Sequence, residues 1–138
     1  MKKLFILLTA AFCTANVMAA DDGNIVRYDF EHYKLDSRSK YYVWYELDAD
    51  NAETEIWASG NSGFAMTAGN AAADTYPTSP VAEGLDGACI KLETKSTGFL
   101  GNLVKMPLAA GNLFVGTFDS SAAMSDAMKA TKFGLPFD

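Results

Sequence analysis

The chain has 138 residues, with 17 acidic side chains against 11 basic ones and a formal net charge of −6. An acidic surface repels phosphate backbones, so this balance argues against nucleic acid as a partner. The length suits one domain that can bury a hydrophobic core.

The first element is a secretory signal peptide, predicted over residues 1–20. Two lysines precede an apolar run over residues 4–12, and small residues close the segment at Ala19 and Ala20. The run is about half as long as the roughly 20 residues that a membrane-spanning helix needs, so we expect no membrane span. Cleavage after Ala19 or Ala20 would export a still more acidic domain to the periplasm, the cell surface or the medium.

Strand signals dominate the mature domain, residues 21–138. Aromatic and β-branched residues, bounded by turn residues, predict strands at 25–30, 41–47, 55–58, 63–67, 88–94, 113–118 and 133–137. Residues 69–87 form the longest connection, which we interpret as a loop with functional potential. A helical spacing is confined to Met124, Ala127, Met128 and Thr131.

This pattern predicts an all-β protein, an antiparallel β-sandwich of the jelly-roll kind. The strand at 133–137 begins where the sequence stops, and a jelly roll needs about eight strands. We therefore expect residues 21–138 to form the N-terminal part of an incomplete sandwich.

The residues give little support to catalysis or to a bound metal. His32 is the one histidine, and Cys89 is the one cysteine outside the leader, so neither a catalytic triad nor a zinc site of the usual spacing is indicated. Carboxylates cluster over residues 46–55, where residues 48–51 resemble the start of an EF-hand loop, but Glu53 stands where that loop needs glycine. No cofactor and no catalytic residue is predicted, although calcium would suit such a cluster.

Aromatic residues are the stronger functional signal. Sugar rings present flat C–H faces that stack on aromatic rings, while amide side chains bind their hydroxyl groups. On a strand, Tyr42 and Trp44 share a face with Glu46, which we expect to be the exposed one. The candidate carbohydrate-binding residues are Trp57, Trp44, Tyr42, Tyr76 and Asn61. The alternative for each is packing in the core.

Several segments also carry a family resemblance. They are DFE at 29–31, WASGNSGF at 57–64, YPT at 76–78, GLDGA at 84–88, PLAAGNLFVGTF at 107–118 and ATKFGLPF at 130–137. In this order the chain resembles the putative carbohydrate metabolism domain of gut Bacteroidetes, from about residue 29 to its end.

The resemblance implies a jelly-roll sandwich of the galactose-binding type, in secreted or surface proteins linked to glycan use. It supplies no catalytic residues, and members of that family continue for roughly as long again after the strand near FGLPF. Four hypotheses stay open: a carbohydrate-binding accessory module, a glycoside hydrolase with two carboxylates, an adhesin-like surface module and a non-functional fragment.

Overall fold

A computed structural model describes residues 28–36, 40–123 and 125–134, apart from the side chain of Ala127. In chain order the strands are β1 (Tyr33–Leu35), β2 (Tyr42–Trp44), β3 (Glu46–Leu47), β4 (Glu53–Thr54), β5 (Trp57–Ala58), β6 (Thr78–Val81), β7 (Cys89–Leu92), β8 (Thr94–Ser96), β9 (Leu108–Ala110), β10 (Phe114–Phe118) and β11 (Thr131–Phe133). The helices are α1 (Asn61–Ala68), α2 (Gly98–Leu103), α3 (Ser120–Ala123) and α4 (Ala127–Ala130), with a 3-10 helix at Ala73–Thr75. The predicted signal peptide lies outside the described residues.

The described strands form small antiparallel sheets. One sheet has three strands in the order β11–β10–β5, and β1–β2, β3–β4, β6–β7 and β8–β9 are two-stranded. In the three-stranded sheet, Val115 lies opposite Trp57 and Thr117 lies opposite Lys132. The prediction of an all-β protein is confirmed, whereas the jelly-roll arrangement stays a prediction.

A buried polar cluster connects α1, β6 and the segment before β10. The Asn61 amide donates from Nδ2 to the Thr78 carbonyl oxygen at 2.7 Å, and its Oδ1 accepts from the Thr78 amide nitrogen at 3.1 Å. The Thr78 hydroxyl donates to the Asn112 carbonyl oxygen at 2.8 Å, and Asn112 Oδ1 accepts from the Gly60 amide nitrogen at 2.7 Å. These bonds hold together three segments that are distant in sequence.

The apolar core is small. Among the described residues, the buried hydrophobic side chains are Trp44, Ile56, Phe64, Tyr76 and Ala130, and the ring of Pro77 is buried as well. The Tyr76 ring lies between Phe64 and Tyr41, at centroid distances of 5.2 and 5.7 Å. Fourteen large hydrophobic side chains are exposed in the same part of the chain, so a large apolar surface is open to solvent.

Most of the predicted strands contain a strand in the structure. The predicted strand at 41–47 is divided into β2 and β3, because β2 pairs with β1 whereas β3 pairs with β4. Residues 28–30 at the end of the first predicted strand are not in a strand, and 25–27 lie outside the described residues. The last predicted strand is shifted to β11, and residues 135–138 also lie outside them.

The prediction of a strand at 63–67 is wrong, because these residues belong to α1. The Phe64 amide nitrogen bonds the Gly60 carbonyl oxygen at 3.1 Å, and the Thr67 hydroxyl donates to the Phe64 carbonyl oxygen at 2.9 Å. Alanine and methionine favour a helix locally, and burial of Phe64 and Asn61 supplies the tertiary contacts that decide the outcome.

The predicted loop at 69–87 is also wrong in part, since it contains a 3-10 helix and β6. Proline removes a backbone donor and is rare inside a sheet, yet Pro80 lies within β6. It is tolerated because β6 pairs on one side, with Pro80 opposite Ile90. The spacing over residues 124–131, which suits either a short helix or a loop, is helical only in α4, and Thr131 begins β11; Met124 lies outside the described residues.

Candidate functional site

A cleft of about 260 Å³ lies where β2, β5 and β10 meet the first turn of α1. We call it the aromatic cleft. The side chains used below that line it are Asp36, Tyr41, Trp44, Glu55, Trp57, Ser59, Ser62 and Thr117. They come from four separate segments, and the antiparallel pairing of β5 with β10 brings Trp57 and Thr117 to the same sheet.

The half-buried indole of Trp57 is held in place by contacts with three other side chains. Its Nε1 donates to Glu46 Oε1 at 2.6 Å. The ring of Tyr28 meets it edge-on at a centroid distance of 5.1 Å, and the ring of Phe30 meets it at 5.0 Å. A hydrogen bond to a carboxylate and two ring contacts restrict the orientation of the indole, so a ligand would meet a surface that is ordered in advance.

Trp44 lines the same cleft but is 1% exposed. The exposed face predicted for Trp44 is therefore wrong, because β2 packs against β5 and β6 and the large indole gains most from burial. Within the described part of the chain, Trp44 Nε1 has no hydrogen-bond acceptor. A buried donor of this kind costs about 1–3 kcal/mol when it is left unpaired.

The polar lining combines hydroxyl groups with carboxylates. Ser59 and Ser62 flank the start of α1, while Thr117 is exposed on β10. Glu55 pairs with Lys34 Nζ at 3.2 Å, and Lys34 also bonds Glu53. The carboxylate of Glu53, followed by that of Glu55, raises the pKa of the Lys34 ammonium. Lys34 therefore stays charged beside the cleft at all ordinary pH values.

The other three predicted residues lie elsewhere. Tyr42 is half-buried and its ring meets Tyr33 edge-on at 5.8 Å. Tyr76 is a core residue, and burial, followed by the nearby Tyr41, raises the pKa of its phenol. Asn61 is 0% exposed and both ends of its amide are bound to Thr78. The structure thus brings Trp57 and Trp44 together in one cleft, and it places Tyr42, Tyr76 and Asn61 outside the lining.

Sequence reasoning missed Tyr41 and Glu55 as lining residues. Tyr41 lies on the face opposite Glu46, which strand alternation assigns to the core, yet it is half-buried at the cleft. Glu55 was one of five clustered carboxylates with nothing to single it out. Glu55 precedes Trp57 by two residues, and this spacing is what the sequence offered to link it with the candidate indole.

No set of three or more His, Cys, Asp or Glu side chains among the described residues is grouped so as to hold a metal ion. In the acidic segment considered for calcium, the carboxylate of Asp48 binds nearby backbone groups. Asp48 Oδ1 accepts from the amide nitrogens of Asp50 and Ala52 at 2.9 and 2.8 Å, which closes the turn between β3 and β4. Across the same described ranges, none of the helices is both long and apolar enough to cross a membrane.

Comparison with known proteins places the chain among carbohydrate-related proteins. Residues 29–138 match the family described as "Putative carbohydrate metabolism domain". A crystal structure of a putative glycoside hydrolase from Bacteroides thetaiotaomicron VPI-5482 is similar at 50% identity and a TM-score of 0.70, over 80% of this chain. One from Bacteroides vulgatus ATCC 8482, with the same description, is similar at 47% identity and a TM-score of 0.71, also over 80% of this chain. No curated protein matches.

The two Bacteroides proteins are much longer than the matched region. The chain spans 31% of the first and 44% of the second. More than half of each neighbour therefore lies outside the part that resembles this chain.

Proposed function

This chain belongs to the family of putative carbohydrate metabolism domains, and we propose that it is an exported, non-catalytic module that binds carbohydrate in the aromatic cleft. The observation that carries the proposal is the Trp57 indole, which is half-buried and held by Glu46 at a cleft that also contains hydroxyl groups. Binding sites for small ligands combine such apolar surfaces with a few fixed polar groups.

The chemistry of the cleft fits a sugar ring. The indole of Trp57 and the ring of Tyr41 offer apolar faces to the C–H groups of a pyranose. Ser59, Ser62 and Thr117 can exchange hydrogen bonds with its hydroxyl groups, since each hydroxyl is both donor and acceptor. The unpaired Nε1 donor of Trp44 would gain an acceptor if a sugar oxygen or a bridging water entered the cleft.

The charge of the cleft narrows the ligand class. Asp36 and Glu55 line it, and the Lys34 ammonium beside it is shared between Glu55 and Glu53, so carboxylates outnumber this cation. Carboxylates repel uronic acids and sulfated sugars at close range. We therefore infer a preference for neutral sugars or amino sugars over acidic ones.

The binding proposal is tested by calorimetry of the full mature chain against soluble neutral polysaccharides and chitosan oligosaccharides. Trp57→Ala is expected to weaken binding by about 10-fold or more, as loss of an aromatic anchor does at other interfaces. Phe99→Ala is the matched control, because Phe99 is 80% exposed and lies outside the cleft lining. Equal affinity of Trp57→Ala and the unaltered chain would refute the assignment.

Export is tested separately, by N-terminal sequencing of the protein recovered from the periplasm and from the medium. A start at Ala20 or Asp21 is expected if the leader is removed. Recovery of the chain in the cytoplasm with Met1 in place would contradict export.

Hydrolysis is the second candidate function, because two carboxylates line one cleft. Glycoside hydrolases use a pair of carboxyl groups on either side of the scissile bond, and Asp36 and Glu55 are the residues that would act here. If this is correct, Asp36→Asn and Glu55→Gln should each abolish release of reducing ends while Trp57→Ala raises KM. Binding without any release of reducing ends by the unaltered chain would leave the binding module as the function.

A further inference from the structure

We propose that a second copy of this chain binds at an apolar groove between α1 and α2, so that two copies form a two-fold symmetric dimer. The groove measures about 380 Å³, and we call it the α1–α2 groove. Six large apolar residues that line it are exposed: Met66, Leu100, Leu103, Val104, Met106 and Leu108. The inference is independent of the carbohydrate proposal, because none of these six residues lines the aromatic cleft.

The groove is unusual for a surface that faces water. Leu103 is 69% exposed and Leu108 is 64% exposed, and the described lining includes no charged side chain. Together with Phe99 on α2, the six residues leave on the order of 700 Å² exposed, whereas a stable interface buries about 800 Å² per partner. Soluble monomers rarely expose contiguous apolar patches of more than a few hundred Å². This surface by itself is therefore nearly large enough for a stable dimer.

The same face carries a projecting ring as well as a hollow. Phe99 is 80% exposed and does not line the groove, whereas Leu100 and Leu103 both do. Phe99 and Leu103 are four residues apart on α2, so their side chains lie on the same side of that helix. In a two-fold dimer each contact occurs twice with the roles of the two copies exchanged. Phe99 of each copy can therefore enter the groove of the other, and the face is complementary to itself.

The groove is held in shape before a partner binds. The Thr97 hydroxyl donates to the Met106 carbonyl oxygen at 2.5 Å, and the Met106 amide nitrogen donates to the Gly101 carbonyl oxygen at 2.8 Å. Gly101 is buried against Thr97, where a Cβ would overlap the hydroxyl oxygen. These contacts tie the start of α2 to the segment that follows it, so little conformational entropy is lost when a second copy binds.

The charges of the chain are arranged so that they permit this contact. The net charge is −6, but α1 contains no charged residue, and residues 94–112, which include α2, contain Lys95 and Lys105 and no carboxylate. The acidic residues that repel a second copy thus lie in other segments. Exposed charges more than about 8 Å apart are largely screened at physiological salt. We therefore expect added salt to strengthen the dimer.

Other classes of ligand fit the groove less well. A sugar needs hydrogen-bond partners for its hydroxyl groups, and the six exposed residues offer none from their side chains. A lipid surface is bound by apolar side chains that are accompanied by many lysines and arginines. Here Lys95 and Lys105 are the two cations of the segment, and Lys95 already pairs with Glu93 at 2.9 Å. A second copy supplies apolar side chains, at a gain of about 25 cal/mol per Å² of apolar area removed from water.

Sedimentation velocity of the full mature chain at increasing protein concentration tests the proposal. We expect a monomer–dimer equilibrium with a Kd of about 1 to 100 μM, which suits an interface slightly below the standard size. Phe99→Ala and Leu103→Glu should each raise this Kd by about 10-fold or more. Met128→Ala and Leu85→Glu are the matched controls, because Met128 is 89% exposed and Leu85 is 106% exposed, and neither lines the groove.

Three results would overturn the proposal. The first is a chain that stays monomeric throughout this range; flotation of that monomer with phosphatidylglycerol vesicles would then assign the groove to a lipid surface. The second is a dimer that Phe99→Ala and Leu103→Glu leave intact, because its interface would lie elsewhere. The third is association that continues beyond the dimer, which closed two-fold pairing does not permit.

Mixing the two variants tests the contact itself. Phe99→Ala keeps the groove and Leu103→Glu keeps the phenyl ring, so a mixed dimer regains one of the two equivalent contacts. The mixture should contain more dimer than either variant alone at the same total concentration. Equal dimer fractions in the three samples would refute the insertion of Phe99 into the groove. Both side chains are exposed in the monomer, so both variants should keep its circular dichroism spectrum.

Thermal unfolding gives a readout that needs no variant. Because unfolding separates the two copies, the melting temperature of the unaltered chain should rise with protein concentration. A melting temperature that does not depend on concentration would count against the dimer. Sugar binding enters neither readout, since none of the altered residues lines the aromatic cleft.

Discussion

The Asn61 side chain bonds both backbone groups of Thr78, donating from Nδ2 at 2.7 Å and accepting at Oδ1 at 3.1 Å. The amide thus pairs with β6 as the backbone of another strand would. Both residues are 0% exposed, so water does not compete for these bonds. These two hydrogen bonds fix the first turn of α1 against β6. They thereby also fix the side of the aromatic cleft that Ser59 and Ser62 form.

Asn61→Ala should destabilise the fold by about 2–4 kcal/mol, because it leaves a buried amide N–H and a buried carbonyl oxygen unpaired. Urea denaturation followed by tryptophan fluorescence measures the loss. Asn70→Ala is the control, since Asn70 is exposed in the connection after α1. Equal stability of the two variants would show that the amide does not hold α1 in place.

Gly116→Ala should be strongly destabilising. A Cβ at this position would overlap the carbonyl oxygen of Lys132, and the φ angle of +138° is one that other residues rarely adopt. We expect a cost of about 2 kcal/mol or more, from strain and loss of β10–β11 pairing. Gly69→Ala is the matched control: φ is +60° there, but nothing lies within 4 Å of the added carbon. Similar thermal stability of the two variants would mean that β11 is not tightly paired.

Ser121→Ala should raise the pKa of Asp119. The Ser121 hydroxyl, followed by the amide nitrogens of Ala122 and Ser121, holds that pKa below its ordinary value. Because the folded pKa is lowered, Asp119 stabilises the fold above the ordinary carboxyl pKa, and the contribution disappears as the pH falls through the lowered value.

The test is an NMR titration of the Asp119 carboxyl carbon at acidic pH. The midpoint should move to higher pH in Ser121→Ala. It should stay unchanged in Ser125→Ala, whose lost hydroxyl bonds the Ala122 carbonyl oxygen instead. An unchanged midpoint in Ser121→Ala would show that the hydroxyl is not the main cause of the lowered pKa.

Glu55→Gln should change which sugars the aromatic cleft accepts, if the cleft binds carbohydrate. Removing one carboxylate should strengthen binding of uronate-containing oligosaccharides by roughly 5-fold, since a charge pair near a surface is worth about 1 kcal/mol. Neutral oligosaccharides should bind as before. Glu83→Gln serves as the control, because Glu83 is exposed outside the cleft lining.

Calorimetry at low salt measures this effect, and added salt should reduce it through screening. An equal gain for neutral and acidic sugars would indicate that Glu55 acts through packing and not through charge. An unchanged affinity for both would place the ligand away from Glu55.

An element could be predicted from the sequence where its preference for strand or helix is carried by adjacent residues. Strands β2, β7 and β10 were predictable, because runs such as LFVGTF carry their β preference in adjacent residues. Residues 63–67 were not, because a short run with Phe64 and Met66 suits either a strand or a helix. The contact of Phe64 with Tyr76 and the bonds from Asn61 to Thr78 decided for the helix.

The sequence by itself determined the all-β class, the acidic charge and the family, since composition, local alternation and motif order are properties of neighbouring residues. Only the tertiary structure decided which aromatic residues meet. Trp57 and Trp44 share a cleft because β2 and β10 both contact β5, whereas Tyr76 and Asn61 are buried in the core. Burial depends on contacts between residues far apart in the chain, and no local pattern records those contacts.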